Sequence, residues 1–138
     1  MTDRFQLDER LRADTVEVAS WDLSLVLLMN DANYPWLVLV PRRPGLRDFH
    51  DLVPPDLLRL TAEIVRASNL LISLFPATRK PDKMNVAALG NQVPQLHVHV
   101  IARFADDPAW PKPVWGVVPA RPYDDATLAE RLRRLRGR

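Results

Sequence analysis

The chain has no cysteine, which excludes a disulfide framework and any thiolate-held metal. It has no long apolar run either. The longest, Leu23 to Met29, is interrupted by Ser24 and falls far short of a membrane span. The opening residues Met1-Thr2-Asp3-Arg4-Phe5 carry charge where a signal peptide needs apolar side chains. No internal repeat, low-complexity block or second composition regime is visible. These absences lead to the expectation of a soluble, cytoplasmic protein with one domain over residues 1–138 and no membrane or nucleic-acid partner. A chain of 138 residues buries roughly two thirds of its unfolded surface, enough for a real core. Its 47% apolar and 26% charged residues are ordinary for a globular domain and exclude disorder.

The net charge of +2 is unevenly distributed: Arg131, Arg133, Arg134, Arg136 and Arg138 crowd the last eight positions, and the remainder is slightly acidic. That tail reads either as a solvated, frayed helix end or as a contact for an anionic partner.

Residues 15–20 and 23–29 read as strands, the second a short apolar run suited to a central position. Asn30 to Pro35 is a turn by composition, and Trp36 to Val40 is a third strand antiparallel to the second. Pro54-Pro55-Asp56 opens a helix, with apolar residues at 57, 60, 64, 67, 71 and 74, and Pro76 stops it. Lys83 to Leu89 is a fourth strand, broken by Gly90, and Gln95 to Arg103 a fifth. Asp107 to Gly116 holds too much proline for regular structure. Asp124 or Asp125 caps a last helix from about Ala126 to Arg134. Strands grouped around one long helix, without βαβ alternation, predict an α+β fold with a mainly antiparallel sheet.

Two of the three histidines fall in Gln95-Leu96-His97-Val98-His99-Val100. Strand alternation puts Gln95, His97 and His99 on one face and Leu96, Val98 and Val100 on the other. The histidine Cα atoms then lie about 6.6 Å apart, so both rings reach one phosphate group. Neutral imidazole attacks phosphorus without a strong external base, and the resulting phosphoramidate splits one hard displacement into two easier ones. A neighbouring ring can hydrogen-bond the phosphoryl or leaving oxygen. By itself the triplet is also readable as surface alternation or as a metal site. Against metal, the third histidine, His50, is far away in sequence and Gln95 is a poor zinc ligand. His50 reads as a surface residue before the long helix. Trp110 and Trp115 read either as surfaces for a base or a partner subunit, or as loop packing.

The stretch Asn85 to Arg103 resembles the signature of the histidine-triad (HIT) family: a glycine turn, a short polar stretch, then alternating histidines and apolar residues, often closing on arginine. Pro35 to Arg43 and Phe49-His50-Asp51-Leu52 are similar to the family's upstream strand and helix approach. The resemblance covers about residues 5–104, with 105–138 as an extension. It is closest in kind to bacterial members described as diadenosine tetraphosphate hydrolase-like. It implies a HIT-like fold with a five-stranded sheet, one long helix and a short C-terminal helix, and it implies a homodimer.

The resemblance assigns His97 as nucleophile on the α-phosphate and His99 as its phosphate contact. Gln95 stands where the family has its first histidine, a departure, because an amide cannot carry a proton charge. Gly90, Asn91 and Gln92 match the phosphate-contacting turn, and Asn85 an amide facing substrate. The ribose-binding position falls on Met29 by count, with Asn30 or Asp31 taking the role after a shift of one or two residues. A second departure is Leu37, where the upstream strand usually has histidine. The implied activity is hydrolysis or nucleotidyl transfer on a dinucleoside polyphosphate or nucleoside phosphoramidate, through a nucleotidyl-His97 intermediate. No cofactor is required, and Mg2+ enters only with a polyphosphate substrate. A nucleotide-binding regulatory role without efficient catalysis is the alternative.

Overall fold

The computed structural model describes residues 4–137; the opening Met1-Thr2-Asp3 and the last tail arginine, Arg138, lie outside them. Five strands, β1 (Thr15–Ser20), β2 (Ser24–Met29), β3 (Trp36–Pro41), β4 (Lys83–Ala87) and β5 (Val98–Arg103), form one antiparallel sheet in the order β1-β2-β3-β5-β4. The helices are α1 (Glu9–Asp14), α2 (Pro54–Ile72) and α3 (Asp125–Leu135), with a 3-10 turn at Phe49–Asp51 before α2. This is the expected α+β fold. No described helix is long and apolar enough to cross a membrane.

β3 and β5 are buried along their whole length; β3 is wholly apolar, and β5 is apolar apart from His99 and Arg103. Alternation divides their side chains between two cores. Leu37, Leu39, Val98 and Val100 pack beneath Leu60, Ala67 and Leu71 of α2, with Leu128 and Leu132 of α3 at the margin. On the other face, Trp36, Val38 and Ile101 pack against Leu7, Leu11, Ala109 and Val114. The proline-rich stretch is therefore irregular, as expected, yet it covers a sheet face.

Some boundaries move. α1 was not foreseen; a six-residue helix has little intrinsic stability and is held by burial of Leu11 and by the Asp8 carboxylate accepting from the Arg10 N–H. α2 ends at Ile72, and Leu57 in its first turn stays largely exposed. Asp124 caps α3 by accepting from the Thr127 N–H at 2.7 Å. The tail matches neither sequence reading at two of its arginines. Arg134 donates to the carbonyls of Ser73 and Leu74 at the end of α2, where helix carbonyls lack partners and carry partial negative charge. Arg136 donates to those of Glu17 and Val18, where β1 bulges.

Candidate functional site

β5 starts at Val98, so Gln95 to His97 precede it in a bend rather than extending it, a correction to the predicted strand. The N–H of Leu96 bonds to the carbonyl of Leu46 instead of a strand neighbour. The face assignment of the histidines survives this. Leu96, Val98 and Val100 enter the core under α2, while the rings of His97 and His99 meet edge to face, with centroids 4.9 Å apart. Both line a cavity of about 660 Å³ on the opposite face of the sheet, walled also by Leu11 and Asp14 of α1 and by Trp115.

Each imidazole has one nitrogen committed. His97 Nδ1 lies 2.7 Å from the carbonyl oxygen of Gln95. That oxygen can only accept, so Nδ1 carries a proton, and in the neutral ring the lone pair is on Nε2. His99 Nδ1 accepts from the indole N–H of Trp36 at 3.0 Å. Trp36 and Val38 share a face of β3, and Val38 stands opposite His99, so the indole reaches His99 along the diagonal that long aromatic side chains can span. Burial, helped by the neighbouring His97, pushes the His99 pKa down to about 4. The ring is therefore neutral at physiological pH.

A stability prediction follows for His99. The unfolded chain binds a proton at this ring near the ordinary histidine value, the folded chain only near 4. Stability present above pH 6.5 is thus lost as pH falls through about 4, by up to about 3 kcal/mol. Urea titrations at pH 7 and pH 4 are expected to show a smaller acid loss for His99→Asn, whose amide oxygen still accepts from Trp36. Equal losses in the two proteins would contradict this origin.

Of the other assigned residues, Gly90, Asn91, Gln92, Asn30 and Asp31 line the cavity. Gly90 has φ +71°, a conformation that L side chains avoid. Asn30 and Asp31 also have structural work: Asn30 Oδ1 accepts from the Tyr123 N–H, and Asp31 Oδ1 from those of Asn33 and Arg121. Met29 lines the cavity beside them.

Gln95 and Asn85 are not on the cavity wall. Gln95 donates to the Gln6 carbonyl at 2.7 Å and accepts from the Asp8 N–H at 2.8 Å, so its side chain anchors the N-terminal segment. Its contribution at the site is its backbone carbonyl. Asn85 is opposite Ile101 on the edge strand β4, and its Oδ1 accepts from Arg103 at 2.8 Å. Leu37 is fully buried in the core on the α2 side, away from the cavity. Trp115 packs 5.0 Å from the His99 ring, whereas Trp110 is near the Arg103 guanidinium. His50 is exposed beside Asp51. Sequence reasoning missed Trp36 and α1. Period-two alternation made Trp36 a face-mate of Val38, but only the β3–β5 register reveals His99 across from them.

Among the described residues no group of three or more His, Cys, Asp or Glu is arranged to hold a metal ion. The polar groups at the site are the two imidazoles, the amides of Asn30, Asn91 and Gln92, and the carboxylates of Asp14 and Asp31. The imidazole pair suits an attack on phosphorus by one nitrogen, with a second nitrogen donating to oxygen.

The HIT domain family model matches residues 10–106. The chain is 45% identical to a histidine triad protein of Bradyrhizobium japonicum, with 97% of each chain covered and a TM-score of 0.91. A histidine triad protein of Marinobacter aquaeolei is 47% identical over 96% of this chain and 94% of that one, with a TM-score of 0.90. One from Sinorhizobium meliloti is 41% identical over 95% and 94%, with a TM-score of 0.88. No curated protein matches the chain. With the family model matching most of its length and these relatives sharing its fold at more than 40% identity, the chain belongs to the HIT domain family.

Proposed function

We propose that this protein is a nucleotide-phosphate hydrolase or nucleotidyl transferase working through a covalent nucleotidyl-His97 intermediate. The observation that carries the reading is the committed Nδ1 of His97, which leaves Nε2 as a free nucleophile beside His99 at the cavity wall. The Nε2 lone pair attacks the α-phosphorus, the bond to the leaving group breaks, and that group departs with the bonding pair. The positive charge gained by the ring is stabilised through its Nδ1–H bond to the Gln95 carbonyl. Water or another acceptor then attacks phosphorus, Nε2 regains its pair, and the acceptor's proton passes to solvent.

The wall also bears on substrate choice. Among its described residues it carries the carboxylates of Asp14 and Asp31 and no lysine or arginine. A dinucleoside polyphosphate would bring several negative charges to that wall, with Mg2+ as their companion. A nucleoside phosphoramidate brings a single phosphate group, and the charge balance favours it.

Incubation with a panel of both substrate classes, followed by peptide mass spectrometry, tests the proposal. The expected result is one nucleotidyl group on His97, with the phosphoramidate turned over faster than a diadenosine polyphosphate. Nucleotide affinity with neither adduct nor product would select the regulatory, binding-only reading instead.

A further inference from the structure

We propose that Trp36 is a positioning residue that locks His99 as a neutral ring with its proton on Nε2, making it a fixed, uncharged hydrogen-bond donor into the cavity. The function given to that donor rests on the reading above; the lock itself does not.

An indole nitrogen has a proton and no lone pair, so it can only donate. The 3.0 Å contact from Trp36 Nε1 to His99 Nδ1 therefore requires a lone pair on Nδ1. A neutral imidazole meeting that requirement carries its proton on Nε2. Protonating both nitrogens would set one N–H against another inside a site where Trp36 and His99 are 6% and 5% exposed. The ordinary cost of burying charge acts in the same direction.

The indole is itself held in place. Tyr34 packs edge to face on it at 6.3 Å and Trp115 at 5.7 Å. Its own ring crosses the His99 ring at 63°, with centroids 5.6 Å apart. Trp115 touches His99 from the cavity side without a hydrogen bond, so two indoles flank the ring and one of them sets its tautomer.

The two histidines therefore sit in opposite tautomers. The Gln95 carbonyl keeps the proton of His97 on Nδ1, and the Trp36 N–H drives that of His99 to Nε2. One ring offers a lone pair and the other a proton. In the proposed reaction, the Nε2–H of His99 would meet a non-bridging phosphoryl oxygen while His97 attacks.

Nitrogen-15 spectra of the histidine rings test the lock at pH 7 without any substrate. Wild type is expected to show His99 with Nε2 protonated and Nδ1 bare. Trp36→Phe, which keeps an aromatic ring and removes the donor, is expected to interconvert between tautomers. Trp115→Phe is expected to leave the tautomer unchanged. A protonated Nδ1 in wild type overturns the proposal, and this measurement needs no variant to fold.

Nucleotidylation of His97 in a single turnover is expected to slow about tenfold in Trp36→Phe, with nucleotide affinity within about twofold of wild type, the size of one lost hydrogen bond. An unchanged tautomer and rate in that variant would also overturn it. If wild type forms no nucleotidyl-His97, the proposed function falls while the ring spectra still decide the role of Trp36.

Discussion

His97→Ala is expected to lose turnover by about 10,000-fold or more, because it removes the proposed nucleophile and the covalent route closes with it. The residual rate would come from substrate binding alone, without a covalent step. His99→Ala is expected to lose less, about 100- to 1,000-fold, the scale of one transition-state donor. The double variant should be no slower than His97→Ala alone, since a donor to a covalent transition state has no effect once that state cannot form. The measurement is turnover of a labelled nucleoside phosphoramidate or dinucleotide, with thermal melting to show that each variant folds. Wild-type turnover by His97→Ala would eliminate the covalent mechanism.

Arg103→Met is expected to destabilise the protein by about 3–5 kcal/mol, because it leaves a buried carboxylate without its counter-charge. Arg103 meets Asp107 through two hydrogen bonds, of 2.7 and 3.0 Å, with their side chains 2% and 6% exposed. A third bond reaches Asn85. Asp107 also accepts from the backbone N–H groups of Phe104, Ala109 and Trp110, which fold the turn leading towards Trp115. These hydrogen bonds and the guanidinium hold the Asp107 pKa below the ordinary carboxylate value against burial, which alone would raise it. Arg59 makes a useful contrast: it also pairs with a carboxylate, Asp56, but its side chain is 52% exposed and Arg43 pairs with the same group. Arg59→Met is expected to cost about 1 kcal/mol or less. Urea unfolding of the two variants measures the difference. Similar losses would show that the Arg103 pair is as weakly coupled as a surface pair.

The histidine pair was legible because strand alternation is local. Whether residues 95–97 lie within the strand or in the bend before it, His97 and His99 stay on one side and Leu96, Val98 and Val100 on the other. The glycine turn was legible too, since a positive φ at Gly90 is a local backbone requirement. Gln95 was misleading. Position in a motif assigned its side chain to catalysis, whereas the amide found backbone partners at Gln6 and Asp8, 87 to 89 residues away. No property of residues 90–100 could announce that. Asn85 was placed on the correct face but drawn off by Arg103, and Asn30 and Asp31 reached the cavity while also binding the segment that returns at Arg121 and Tyr123.

What the sequence determined by itself was the set of elements and the chemistry they carry: apolar runs for the central strands, a proline-opened helix, and two imidazoles two residues apart. Those features depend on periods of two and 3.6, which a chain carries with it. Only the tertiary structure decided which nitrogen of each ring is bare. The deciding partners are a carbonyl in the bend before β5 and an indole on β3, the latter brought to His99 from 63 residues away by strand register. A hydrogen bond at 3 Å depends on atoms meeting in space, and pairing across a sheet supplies that meeting.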